Sequence, residues 1–121
     1  MQLIWYGAIG DCMEFQHILI ALIMAHFLCD FALQNDFVAN FKARFVNEKK
    51  NDMWVWVLSA HCAIHSIPVF LLTKSLSLSV LMFITHFIID LTKCEKKISF
   101  NTDQTLHLLV VISIASLHSF W

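Results

Sequence analysis

Four long apolar stretches in a chain of 121 residues leave few folds open. They cover roughly residues 15–33, 53–73, 76–91 and 105–121. A helix needs about 20 mostly apolar residues to cross the hydrocarbon of a bilayer, and all four stretches come near that length, the third and fourth on the short side. One such helix also suits a soluble core. Four in succession, with no polar segment large enough to wrap them, do not. The runs are too long for strands and lack the two-residue alternation of a half-buried strand. Only 14% of residues are charged and 59% are hydrophobic, with a mean hydropathy of +0.70. A soluble domain of this size has too little interior to hide that much apolar surface. Two Gly and one Pro provide little turn chemistry for an all-β fold. The chain is therefore expected to be all-α, a single integral membrane domain over residues 1–121 built as a polytopic bundle of about four transmembrane helices.

The connections separate by charge. Lys42, Arg44, Lys49 and Lys50 lie between the first and second stretches, and Lys93, Lys96 and Lys97 between the third and fourth. The turn between the second and third holds only Lys74. Seven of the eight basic residues thus fall on one side of a four-helix topology. The positive-inside rule makes that side cytoplasmic and puts both termini outside. Trp54, Trp56 and Trp121 sit where helices enter or leave the bilayer, as an aromatic belt requires. Pro68 is expected to kink the second helix. The loop over residues 35–52 carries Phe37, Phe41 and Phe45 at four-residue spacing, which predicts a short amphipathic helix. Its apolar stripe either lies on the membrane surface or packs back on the bundle. The apolar piece at residues 3–9 is too short to span, and caps the bundle or lies at the interface. The N-terminus lacks the basic start of a cleaved leader, and Asp11 and Glu14 come early. Cys12, Cys29, Cys62 and Cys94 form no Cys-x-x-Cys pair, and no disulfide is expected. A net charge of -1 gives no support for nucleic-acid binding. The lipid bilayer is the expected partner, with a second copy or another membrane protein beside it.

Ionisable groups inside membrane helices are costly and face the bundle interior or a wet cavity. Here they recur at four-residue spacing, which places them on one helix face. The first helix carries His26, Asp30 and Gln34, the second His61 and His65, the third His86 and Asp90, and the fourth Asp103, Gln104 and His107. At ~1.5 Å per residue, Asp30, Asp90 and Asp103 fall within about 6 Å of the cytoplasmic helix ends, most of the histidines about 5–12 Å in, and His65 about 18 Å in. The stripes reach similar levels although the helices alternate in direction, so one polar cluster in the cytoplasmic half is expected. His17 and His118 lie near the outer ends and read as interfacial. Each residue also has a plainer reading. Asp30 and Asp90 can be solvated at helix ends, Asp103 with Thr102 beside it can be an N-cap, and a lone buried His is often hydrogen-bonded core.

Histidine and carboxylate together suit Zn, Mn or Fe. His26, Asp30, His61, His65, His86, Asp90, Asp103 and His107 are the candidate ligands, for one ion or two. A metal centre of this kind suits hydrolysis of a phosphoester or amide. One of Asp30, Asp90 and Asp103 can instead act as general base. Gln34 and Gln104 are placed to orient ligands or bind substrate. Lys93, one turn from Asp90, is placed to meet a phosphate or lipid headgroup. Three functions fit: a metal-dependent intramembrane hydrolase acting on an amphiphilic or phosphoester substrate, a proton or metal-ion transport element, and a non-catalytic membrane partner stapled by a structural metal.

The motifs His26-x-x-x-Asp30-Phe31-x-Leu33-Gln34, His61-x-x-x-His65, His86-x-x-x-Asp90-x-x-Lys93 and Asp103-Gln104-x-x-x-His107 occur in that order. In this the chain resembles a bacterial and phage membrane family catalogued as domain of unknown function 3307, from about His17 to the end. The resemblance implies a polytopic protein of the bacterial inner membrane with no assigned reaction. That family is distantly similar to inner-membrane-associated proteins classed as metal-dependent hydrolases, which suggests hydrolysis. Residues 1–14 lie outside the resemblance.

Overall fold

A two-residue turn sets the geometry of the best-packed helix pair. Lys74 takes a left-handed conformation (φ 57°), and the Ser75 hydroxyl accepts from the Leu78 amide at 3.2 Å to start the next helix. Helix α3 (Trp54–Thr73) and helix α4 (Leu76–Cys94) therefore fold back on each other. Small side chains lie between them: the Ser79 hydroxyl donates to the Ser66 carbonyl at 2.9 Å. In this computed structural model residues 2–120 are described, with side chains from Glu14 onward. Helix α1 (Gln2–Phe27) runs on into a π-helical turn at Leu28–Ala32. After the short helix α2 (Asp36–Phe41), a hairpin of strands β1 (Phe45–Val46) and β2 (Lys49–Lys50) leads to α3. Helix α5 (Phe100–Ser119) packs against both α4 and α1, and α1 packs against α3, so the four long helices close a ring.

The fold is all-α apart from the hairpin. Among the described residues, three segments are long and apolar enough to cross a membrane: Glu14–Ala32, Trp54–Thr73 and Leu76–Cys94. Helix α5 matches their length with 20 residues, but Asp103, Gln104 and His107 in its opening turns lower its apolarity. The distribution of side chains is inverted relative to a soluble bundle. Ile20, Met24, Ile67, Leu71, Ile84, Ile88 and Leu109 point outward and exposed, whereas the histidines and aspartates of the four stripes are buried. That pattern fits a surround of lipid rather than water.

Several boundaries differ from the sequence reading. The piece at residues 3–9 is no separate element, because α1 is continuous from Gln2; its side chains, like those of Asp11 and Cys12, lie outside the described residues. Helix α4 runs on to Cys94, which brings Lys93 onto the helix. Helix α5 starts at Phe100 and is capped by Ser99, whose hydroxyl accepts from the Thr102 amide at 3.1 Å. Asp103 is thus a buried first-turn residue and not the N-cap. The amphipathic helix stops at Phe41, where Phe37 and Phe41 stack at 4.8 Å, and Phe45 belongs to the hairpin. Asn47 and Glu48 both take positive φ in its two-residue turn, as a tight right-twisted hairpin requires. Pro68 lies inside α3 and lacks the amide that the Ile64 carbonyl would use; the Cys29 thiol donates to that oxygen at 3.6 Å. Cys29, Cys62 and Cys94 are free thiols. Trp56 is exposed at the start of α3, whereas Trp121 lies outside the described residues.

The segment between α1 and α3 is pinned down rather than loose. The Asn51 amide donates to the carbonyls of Phe41 at 2.6 Å and Ala43 at 2.8 Å, and its oxygen accepts from the Met53 amide at 3.1 Å. Arg44 lies 4.9 Å over the Trp54 ring and 3.0 Å from Glu95, tying the hairpin to the α4–α5 connection. Lys97, 2.6 Å from Glu95, holds that carboxyl below its ordinary range, with Arg44 adding to the effect. Removing the buried Asn51 side chain strands three backbone groups. Asn51→Ala is expected to loosen the segment by about 1–3 kcal/mol. The readout is faster amide exchange across residues 41–53 with α4 still protected; unchanged exchange would show that other contacts hold the loop.

Candidate metal centre

The apolar core and the polar cluster occupy opposite halves of the bundle. Leu22, Val69, Leu78, Met82, Val111, Ile114 and Ala115 pack together in one half. In the other, the end of α1, the start of α3, the end of α4 and the start of α5 converge, and their polar side chains meet. His26, Asp30, His61, His65, His86, Asp90, Asp103 and His107 are all buried, so the solvated readings of Asp30 and Asp90 do not hold.

Asp30 sits at the centre. It lies on the π-helical turn, which the Leu33 amide closes on the Leu28 carbonyl at 2.9 Å. The wider turn shifts the residues beyond it, as π-bulges at functional sites often do. Gln34 falls past the helix, so the expected His26–Asp30–Gln34 row on one helical face is broken; the Gln34 amide instead reaches back to the Asp30 carbonyl at 3.3 Å. The Asp30 carboxylate lies 3.2 Å from His65 Nε2, 3.3 Å from His61 Nε2, 3.6 Å from His26 Nε2 and 4.0 Å from His86 Nε2. The Gln104 amide donates to Asp30 Oδ2 at 2.8 Å and to Asp103 Oδ2 at 3.1 Å. With its NH₂ group turned to two carboxylates, Gln104 leaves its oxygen to accept, so His26 Nε2 carries a proton and donates to it at 3.2 Å.

A second group is built around His107, whose Nε2 lies 3.3 Å from Asp103 and 3.9 Å from Asp90. Each of these aspartates meets a lysine on its far side. Lys42 Nζ is 2.6 Å from Asp90 Oδ2 and donates to Gln34 Oε1 at 2.6 Å. Lys93 Nζ is 3.4 Å from Asp103 Oδ2 and 4.9 Å over the Phe100 ring. His86 stacks between the groups, its ring 3.7 Å from His65 and 4.1 Å from His107.

The donors do not satisfy one another. His61 Nε2, both ring nitrogens of His86, His107 Nε2 and Asp103 Oδ1 are buried without a hydrogen-bond partner. Such atoms are rare in folded proteins. They are also the atoms a cation would take. Three overlapping groups bring ligand atoms within 4.8 Å of one another: Asp30 with His61, His65 and His86; His86 with Asp90 and His107; and Asp30 with Asp103 and His107. The cluster can therefore hold a metal ion. Of the expected ligands, only His26 stands outside these groups, hydrogen-bonded to Gln104.

Lys42 is the residue the sequence reading missed. It counted there only toward the charge bias of a loop, yet it is 4% exposed and inserted into the cluster. Three aspartates within apolar helices call for cationic partners, and Lys93 alone lies within a turn of one of them. That shortage was legible; which of Lys42, Arg44, Lys49 and Lys50 fills it was not. Beside the cluster, Gln34, Lys42 and Lys93 also line a cavity of about 380 Å³ bounded by α2, the hairpin and Lys96. Truncating Lys42 leaves Asp90 buried and unpaired. In metal-free protein Lys42→Met is expected to cost about 3–5 kcal/mol. Thermal unfolding in detergent measures it, and Asp90→Asn in the same chain recovers most of the loss; a cost below about 1 kcal/mol, as for a surface pair, would mean that the ammonium is not buried there.

Compared with known families, residues 18–121 match the model of a family described as "Protein of unknown function (DUF3307)". No curated protein and no solved structure matches the chain.

Proposed function

We propose that this chain, which belongs to the DUF3307 family, is a membrane-embedded, metal-dependent hydrolase whose site opens to one leaflet. The observation that carries the reading is the set of buried, unpartnered histidine nitrogens around Asp30, beside a basic cavity. Histidine and carboxylate donors in a dry site suit Zn, Mn or Fe. When bound, such an ion activates water and polarises a phosphoryl or carbonyl oxygen. Gln104 and Gln34 orient their neighbours: Gln104 fixes Asp30 and Asp103, and Gln34 fixes Lys42. Lys42 and Lys93 bring positive charge to the side on which an anionic group approaches.

The substrate is amphiphilic, a phosphoester or a lipid headgroup. The cavity lies at the helix ends, between the basic hairpin segment and the bundle, with Phe37 and Phe45 exposed on that segment. These features suit the interfacial region of a bilayer, where a charged head and an apolar tail are presented together. By the positive-inside rule, the basic residues favour the cytoplasmic face of the bacterial inner membrane for that end, with both termini outside. The transport reading finds less support, because the half of the bundle beyond the cluster is filled by Leu22, Val69, Met82, Val111 and Ile114. A structural metal staple has one observation in its favour: Asp30 with three histidines is already a complete four-donor set, fully buried.

Two experiments test this. Detergent-purified wild type is expected to carry Zn, Mn or Fe by elemental mass spectrometry, and Asp30→Ala and His65→Ala to lose it. Wild type is expected to release phosphate or a headgroup from phosphoester lipids in vesicles, with activity falling at least 100-fold in both variants. Folded, metal-free wild type after reconstitution rejects the metal reading; metal without turnover of any phosphoester or ester leaves the staple. For topology, periplasmic reporters fused at either terminus are expected to be active, and activity of a cytoplasmic reporter there would reverse the orientation.

A further inference from the structure

The number of ions follows from the charges and lone pairs that the cluster brings together. Three buried carboxylates face two ammonium groups. Asp90 has Lys42 at 2.6 Å and Asp103 has Lys93 at 3.4 Å. Asp30 has neither: among the described residues its partners are imidazoles and the Gln104 amide. With every imidazole neutral, as a metal ligand has to be, one negative charge is left over, and it sits on Asp30.

We propose that the cluster is built for one divalent ion, held by Asp30, His61, His65 and His86, and that the Lys42 ammonium stands in the place of a second. The proposal rests on the metal reading above and adds the number and position of the ion.

Three observations carry it. The first is Lys42 itself. Its ammonium is fixed between Asp90 Oδ2 and Gln34 Oε1, each at 2.6 Å, so it is a seated cation rather than a surface chain folded inward by chance. An ion bound to Asp90 has to share that carboxylate with the ammonium, and like charges so close repel strongly where water is excluded. The second is His86, which belongs to two of the three donor groups. A neutral imidazole has one nitrogen lone pair and one N–H. It therefore serves one ion, and the four-donor group around Asp30 makes better use of it than the three-donor group around Asp90. The third is the charge balance. One divalent ion turns the leftover charge from -1 to +1, which a single anionic group from water or substrate neutralises. A second ion raises it to +3 inside an apolar bundle, and uncompensated charge of that size is not tolerated there.

Zinc titration by equilibrium dialysis, with the bound metal counted per chain by elemental mass spectrometry, tests this on the 121-residue chain in detergent. Wild type is expected to saturate at one equivalent. Lys42→Arg keeps the positive charge and is expected to stay at one. Lys42→Met frees Asp90 and is expected to take up a second equivalent, bound at least tenfold more tightly than any second zinc in wild type, with a matching gain in thermal stability as zinc is added. Two equivalents in wild type, or one equivalent in all three proteins, would falsify the proposal while leaving the metal reading intact. No zinc in wild type overturns both. Should Lys42→Met fail to fold even with zinc, the wild-type and Lys42→Arg counts decide: one equivalent in each supports the stand-in, and two in either refutes it.

Discussion

Three carboxylates buried in an apolar bundle are the constraint from which the rest of the structure follows. A buried carboxylate without a counter-charge is among the most destabilising groups a small fold can contain. Each of the three meets that demand differently. Asp103 draws on Lys93 from the end of the neighbouring helix α4. Asp90 draws on Lys42, which the polar segment between α1 and α3 brings in by folding back over the helix ends. Asp30 draws on imidazoles and an amide. The Asn51 clamp and the Arg44–Glu95 pair make sense in that setting: they hold the returning segment so that Lys42 stays in place.

Helix positions and polar stripes were largely legible in the sequence because both are local. Apolar run length and four-residue spacing are read directly along the chain. The convergence of His61, His65, His86 and His107 on Asp30, Asp90 and Asp103 followed from depth along alternating helices, and the side chains do meet. What was not legible depends on backbone detail or on long-range pairing. The π-helical turn at Leu28–Ala32 has no distinctive composition, yet it breaks the expected row through Gln34. The start of α5 was set too late because the apolar run begins only at Thr105, whereas Ser99 caps a helix several residues earlier. Lys42 could not be told from its basic neighbours, since its partner lies 48 residues away.

The separation of core and cluster also bears on function. The half of the bundle built from Leu22, Val69, Met82, Val111 and Ile114 gives the helices a fixed register. The Ser66–Ser79 contact adds close approach of α3 and α4 at small residues, as membrane helices favour. With that half set, the donor atoms of the other half are held near one another. Preorganisation of this kind is what lets a site leave nitrogens unpartnered without collapsing on itself.

That arrangement has a thermodynamic consequence. Each buried donor or acceptor left without a partner costs about 1–3 kcal/mol. His61, His86, His107 and Asp103 all carry such atoms, and the net stability of a domain is only about 5–15 kcal/mol. A bundle of four helices tolerates several of them only if something else repays the loss. In the proposed metal-bound state the same atoms become ligands, and the energy of coordination is added to the energy of folding. The polar cluster is then what weakens the empty protein and what strengthens the loaded one. Without an ion His86 has no such compensation, because both of its ring nitrogens lack a partner. The pattern of unsatisfied atoms, more than the presence of histidine in apolar helices, is what supports the proposed reading of the cluster as a metal site.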